Sequence, residues 1–360
     1  MPVPWSPRDH VPARLGIRTW FADRRADHGA PQPSCNTHPA GLKGGGDPSQ
    51  AQIRLKPDGT LDLLVGAVDI GQGSKTILRQ IAADEMGVPI EAITINNFDT
   101  DTGPMCTGTF ASRVTFMDGN AVIRATDDLK RKIRYWAAEA LGACADEIRV
   151  ADNMVTVQGR ADLSRTMAQV GAMANWGGAY LVGTGAYIPG SGQNFDPETG
   201  EMTALSSLAF GACVAEVEVD TETGVVEVVK LVQVYEVGRA INPLLCKGQI
   251  NGGAMMGIGF ALTEDFSPDY PAIELAPEGL NDYMITTAAD MPPVMIADIV
   301  EVPHPDGPRG AKGFSEMTAA APPPAIISAI HDAVGVWITD YPATPERILK
   351  ALAAKDGGRN

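Results

Sequence analysis

The segment "HPDGPRGAKGFSEM" carries one carboxylate, Glu316, at the end of a glycine-rich approach, with Lys312 and Gly313 just ahead of it. Glycine lets a backbone come close to a ligand, yet a Glu that opens a helix is also favoured by the macrodipole as an ordinary surface charge. The residues alone leave both readings open. Two further stretches place polar groups where a helix begins. In "VDIGQGSKTILRQIAADEMGVP" Gln72 stands between Gly71 and Gly73, so its amide is exposed on a turn before a helix whose first N–H groups suit an anion. In "GPMCTGTFASR" Thr107, Thr109 and Ser112 set hydroxyls beside backbone donors, which suits phosphate or a polar heterocycle and equally suits plain capping.

These loops need a frame. Ile53 and Leu55 alternate with polar residues, Pro57-Asp58-Gly59 supplies a turn, and Leu61, Leu63 and Val65 resume the alternation, which predicts a hairpin. Ser74 is expected to cap a helix with Ile77, Leu78, Ile81 and Ala82 as its apolar stripe, stopped by Gly87 and Pro89. A strand at Ile93 and Ile95 precedes a long helix marked by Val122, Leu129, Ile133 and Trp136. Further hairpins are expected in "EIRVADNMVTVQG" and over 208–236. In "GRAINPLLCKGQINGGAMMGIGFALTEDF" Asn242 caps a helix with Pro243 at its first position. Each glycine within a helix costs about 1 kcal/mol relative to Ala, so their accumulation there indicates close packing, with Met255 and Met256 as core filling. The expected fold class is α+β (mixed α/β), two lobes of hairpins and sheets with packed helices. Residues 1–50, rich in Pro, Gly, Arg and His, are expected to form an irregular arm; 51–175 a first lobe; 176–207 a Gly-rich connection; 208–355 a second lobe.

A formal charge of −16 over 360 residues argues against nucleic acid as a partner. No run approaches the roughly 20 apolar residues of a membrane span, and the start lacks the pattern of a secretory signal, so a cytoplasmic protein is expected. Cysteines 35, 106, 144, 213 and 246 are far apart with no CxxC spacing, which encodes neither a disulfide framework nor a cysteine metal site. Any iron–sulfur cluster is expected on another chain.

Taken in order, "VDIGQGSKTILRQIAADEMGVP", "GTFASR", "GRAINPLLCKGQINGGAMMGIGFALTEDF" and "GAKGFSEM" resemble the second half of the large subunit of molybdenum hydroxylases, the xanthine dehydrogenase and aldehyde oxidoreductase family, from about residue 50 to the end. The resemblance implies a molybdopterin cofactor, in bacteria usually the cytosine dinucleotide, whose own dithiolene holds the metal, so no protein ligand to molybdenum is expected. It implies that Gln72, with Gly71 and Gly73, contacts the pterin or the metal's ligands. Thr109, Ala111 and Ser112 bind the cofactor's polar edge and phosphates, with Phe110 and Ala111 near the substrate. Gln249 is a further cofactor contact, and Lys312 and Gly313 lie along the cofactor. Glu316 becomes the general base for attack by a water-derived hydroxyl on an electron-poor carbon, its pKa brought near working pH by partial burial in an apolar pocket.

Departures from the family pattern fall close to these residues. Ser315 stands where glycine is usual, and either restricts the loop or bonds the carboxylate. Cys246 stands where many members have Asp. Arg113 and Arg309 either attract an anionic substrate or are engaged by a phosphate or carboxylate. The family's first half, with its own cofactor loop, is absent from this sequence. The resemblance is therefore to the medium subunit of a split nicotinate dehydrogenase, which implies a complementary molybdopterin subunit carrying that half, an iron–sulfur subunit and an FAD-bearing flavin subunit. The expected reaction is hydroxylation of a small N-heteroaromatic molecule with water. Aldehyde or aromatic thioester chemistry, or a non-catalytic scaffold, are the alternatives.

Overall fold

The structure, a computed structural model, describes residues 34–43, 46–97, 99–190, 196–201, 205–265, 277, 279–280 and 282–357, which form helices packed on open sheets. The expected irregular arm is in part regular. Ser34–Leu42 (β1) pairs antiparallel with Leu205–Val219 (β9), His38 facing Ala209 across the ladder. Residues 1–33 of that arm lie outside the described residues. Pro39 lies opposite Leu208 in β1, which is an edge strand, where proline is tolerated. The sheet continues through Val226–Glu236 (β10) to Val294–Val300 (β11), β10 running antiparallel to β9 and parallel to β11.

In a second sheet the alternation of apolar and polar residues produces the expected hairpin. Ser49–Leu55 (β2) and Leu61–Val65 (β3) pair with Ile53 opposite Leu63, and Ile93–Asn96 (β4) joins β3 in parallel. Its far edge is Val182–Tyr187 (β8), paired with β2, in a segment where sequence predicts only a Gly-rich connection. The glycines have a packing reason. A Cβ on Gly183 would lie 2.1 Å from the carbonyl oxygen of Ala125, and one on Gly185 2.2 Å from that of Ala121. Both carbonyls belong to the long helix Val114–Leu141 (α2), whose backbone rests directly on β8. Residues 191–195 and 202–204 of the expected connection lie outside the described residues. A small third sheet comprises Ile148–Ala151 (β5), Met154–Val157 (β6) and Arg160–Thr166 (β7).

Helix Ser74–Met86 (α1) stops at Gly87, in the left-handed conformation that a C-terminal glycine supplies. Its start differs from expectation. Gly73 occupies the N-cap, Ser74 is buried without capping, and Asp69 accepts from the N–H groups of Gly71 and Lys75, each at 2.9 Å. An internal carboxylate therefore takes the place proposed for an external anion. Met167–Trp176 (α3) follows β7. Helix Pro243–Leu262 (α4) begins as expected, with Asn242 Oδ1 accepting from the Leu245 N–H at 3.1 Å. Its glycines pack closely on one side: a Cβ on Gly253 would lie 1.8 Å from Thr318 Oγ1, beside Met317–Ala320 (α5) and Pro322–Val334 (α6). Along another side Leu244, Gly248, Gly252, Met256 and Phe260 recur every fourth residue and are exposed, so Met256 is not core filling. Helix Pro345–Gly357 (α7) closes the described chain.

Two large apolar clusters form, besides a small one of Phe210, Ala212 and Val234. One joins Ile53, Leu63, Leu78, Ile81, Leu129 and Ile133; the other joins Leu231, Tyr235, Ile250, Ile258, Ile326 and Ile330. Polar contacts bridge them: Asn242 to Gln80 at 3.2 Å, Asn120 to the Asp306 carbonyl at 2.9 Å, and Arg309 to Glu85 at 2.7 Å.

Candidate active site

The "TGTFASR" loop turns sharply before α2. Gly108 has φ 133, and Ala111 and Ser112 hold left-handed φ values of 47 and 52. Non-glycine residues so placed cost on the order of 1 kcal/mol or more each and persist only where their surroundings enforce it. The enforcement comes from Arg113, which is fully buried. Its guanidinium reaches Asp47, the Gly108 carbonyl at 2.9 Å, the Pro48 carbonyl at 3.0 Å and Asp118 at 3.3 Å. Burial pushes the Asp118 carboxyl up to about 6, against the opposing pull of Arg113. Arg113 is thus a strut, and Arg309, paired with Glu85, is likewise engaged by a carboxylate.

Against this loop lies the second one, Ala311–Glu316. A Cβ on Gly313 would stand 1.6 Å from the Ser112 carbonyl oxygen, so only glycine allows the two backbones to meet. Across that contact Glu316 Oε1 accepts from the Ala111 N–H at 3.2 Å, and Oε2 accepts from Ser112 Oγ at 3.3 Å. Ser112 Oγ in turn accepts from the Glu316 N–H at 3.1 Å. Although Glu316 opens α5, its side chain makes no capping bond. The macrodipole reading of this residue is therefore insufficient, because the carboxylate is committed to a loop some two hundred residues earlier. The expected apolar burial is not found: the side chain is 53% exposed and its contacts are polar. The hydroxyl that meets the carboxylate is that of Ser112 and not that of Ser315, whose carbonyl accepts from Thr318.

Lys312 turns the other way. Its Nζ is buried, 2.7 Å from Glu236 Oε2 and 3.0 Å from the Leu208 carbonyl. Burial pushes the Glu236 carboxyl up, with Lys312 opposing.

Gln72 folds onto its own turn, accepting from the Ile70 N–H at 2.7 Å and donating to the Val68 carbonyl at 3.1 Å. Thr109 Oγ1 donates to the same carbonyl at 2.8 Å, which ties the "GQG" and "TGTFASR" loops together. Phe110 is exposed, with the Arg113 guanidinium 5.9 Å from its ring centroid. A narrow crevice of about 50 Å³ runs between α1, α4 and the Ala311–Ser315 backbone, and Gln72, Gln249, Lys312, Asn242 and Cys246 line it. Burial pushes the Cys246 thiol up to about 11.

One residue was invisible to the sequence reading. His38, on β1, places Nε2 3.2 Å from Glu316 Oε2. The only signal for it would have been the alternation of Ser34, Asn36 and His38, which prolines and glycines on either side obscure.

The family described as "Molybdopterin cofactor-binding domain" matches residues 32–292. The chain belongs to this family. It is 32% identical over 307 residues to the probable hypoxanthine oxidase XdhD of Escherichia coli K12, covering 85% of this chain and 30% of that protein. To the nicotine 6-hydroxylase large subunit of Paenarthrobacter nicotinovorans it is 30% identical over 304 residues, covering 84% of this chain and 36% of that one. The crystal structure of quinoline 2-oxidoreductase from Pseudomonas putida 86 superposes with TM-score 0.76 at 27% identity, covering 96% of this chain and 44% of that one. The chain thus spans about a third of the length of these curated relatives. The molybdopterin-binding family matches the chemistry of the crevice. Its lining carries amides, hydroxyls and Arg239 but no carboxylate, a donor-rich set of the kind that a pterin and its phosphates call for. A Cβ on Gly71, Gly248 or Gly252 would meet nothing within 4 Å, so at those points the backbone is open to a bulky group. Among the described residues no cluster of three or more His, Cys, Asp or Glu could hold a metal ion, and no helix is long and apolar enough to cross a membrane.

Proposed function

We propose that this chain is the molybdopterin-binding subunit of a cytoplasmic, multisubunit molybdenum hydroxylase acting on an N-heteroaromatic substrate, with Glu316 as its base. The observation that carries this reading is the pairing of Glu316 with Ala111 and Ser112, next in sequence to Ser315, which lines a carboxylate-free crevice. The cofactor, in its cytosine dinucleotide form, would be held by Gln72, Thr109, Gln249 and the backbone of Gly71, Gly73, Lys312 and Gly313. When bound it supplies the two-electron redox chemistry that no side chain can. Glu316 receives a proton at a carboxylate oxygen as the new C–O bond forms, and it must reach that proton within about 3 Å. The Ala111 N–H and Ser112 hydroxyl fix the carboxylate's direction while leaving it open to substrate. Phe110, exposed beside it, offers a flat apolar surface for a heteroaromatic ring.

A complementary molybdopterin subunit covers this face. Val68, Ile70, Met105 and Phe110 are exposed around the site, as is the stripe from Leu244 to Phe260 on α4, and apolar groups grouped in this way mark a surface for association. Iron–sulfur and FAD-bearing subunits take the electrons onward. The complex is to be purified with its co-purifying chains, analysed for molybdenum, and assayed with quinoline, hypoxanthine and nicotine. Turnover of at least one is expected. Glu316→Gln should keep its molybdenum and lose about 10²- to 10⁴-fold in kcat; full turnover in that variant would remove Glu316 from the mechanism.

A further inference from the structure

Resting on the reading of Glu316 as the base, we propose that His38 is the positioning residue that fixes its carboxylate. Side chains two apart on a strand share a face, and β1 uses this period three times in succession. Ser34 Oγ donates to the Ala321 carbonyl at 2.6 Å, Asn36 Nδ2 donates to the Met317 carbonyl at 2.7 Å, and His38 Nε2 meets Glu316 Oε2 at 3.2 Å. The strand forms a polar rail along α5 and its two flanks, and His38 is the position at which the rail reaches the carboxylate. The first two contacts fix the backbone of the turn that presents Glu316, and the third fixes the side chain.

The carboxylate's partners come from opposite sides. Ala111 and Ser112 approach from the loop before α2, while His38 approaches from β1. Without His38, Oε2 would keep only the Ser112 hydroxyl, a rotatable group that also serves the Glu316 N–H. The imidazole is held by a paired strand against Oε2, so its contact limits the remaining freedom of the side chain. His38 Nε2 is sealed from solvent and makes no aligned hydrogen bond in this structure, so its 3.2 Å approach to Oε2 is a close contact short of one, and Oε2 is an acceptor within its reach. The two cationic side chains carried by these loops point elsewhere: Lys312 to Glu236, Arg113 to Asp47 and Asp118. Of the three, His38 is the one in contact with the carboxylate.

The test compares His38→Ala with His38→Gln in the purified complex, using whichever of quinoline, hypoxanthine or nicotine turns over. His38→Ala is expected to lower kcat roughly tenfold with KM changed less than about twofold, as for an interaction that acts on the chemical step. His38→Gln, which keeps an N–H donor, should recover most of that loss, a rescue that a merely structural strand residue would not give. A readout independent of turnover uses the full chain labelled with ¹⁵N in its histidine rings. The His38 signals, assigned by their loss in His38→Gln, should move in Glu316→Gln and stay in place in Glu301→Gln. Unmoved His38 signals in Glu316→Gln, or wild-type kcat in His38→Ala, would overturn the proposal. Moved signals together with full turnover in Glu316→Gln would leave the contact standing but overturn the base, and the positioning role with it.

Discussion

Lys312 and Glu316 stand four residues apart on one loop, and the carboxylates they involve are treated in opposite ways. Glu236 is buried against Lys312 with no solvent access, whereas Glu316 is half-exposed, held by an N–H and a hydroxyl and approached by an imidazole. A fixed ammonium beside Glu316 would stabilise its ionised form and weaken it as a base; directing Lys312 inward keeps that charge away. Arg113 repeats the arrangement on the facing loop, where its buried contacts with Asp47 and Asp118 lie behind Ala111 and Ser112. Buried ion pairs shape the loops, and weaker donors present the accessible acid. Such pairs are seldom a net source of stability, but breaking one is costly, and this supplies the means to test the contrast.

The largest effect is expected at the buried side. Lys312→Met leaves Glu236 uncompensated and should destabilise the fold by about 3–5 kcal/mol in urea unfolding. Adding Glu236→Leu should restore most of the loss; failure to do so would mean that Lys312 acts elsewhere than on Glu236. A smaller effect concerns Asp118. Its carboxyl lies above the ordinary range, at about 6, so the native state holds its proton more tightly than the unfolded chain does. The stability it contributes is present below the ordinary carboxylate range and is lost as pH rises through about 6. Unfolding midpoints measured across that window should therefore fall more steeply with pH in the wild type than in Asp118→Asn. The smallest effect is on the exposed side. Ser112→Ala removes the hydroxyl that bridges the Glu316 N–H and Oε2, and should cost about 1 kcal/mol in activation, roughly fivefold in kcat, with little change in unfolding. A large loss of stability there would erase the distinction between the two carboxylates.

Local signals were legible where chemistry is local. The β2–β3 hairpin, the Gly87 stop and the Asn242 cap follow from alternation, left-handed glycine and a short polar side chain, and each needs only a few neighbouring residues. The loops that meet at the site could also be found, because glycines, hydroxyls and Glu316 cluster in short segments. What the residues hid depends on distant partners. Gly183 and Gly185 signal a loop until α2 is placed on them. Ser74 has the type of a cap, yet Asp69 reaches the helix start first. Lys312 gives no sign of Glu236, which lies 76 residues earlier, and β1 is a strand only because β9 is there to receive it.

Ser34 and Asn36 bond to groups 287 and 281 residues further along the chain. Contacts of such separation carry a large loop-closure cost and are slow to form. Regain of turnover after dilution from denaturant should therefore lag behind the recovery of helical signal, making catalysis a late marker of refolding.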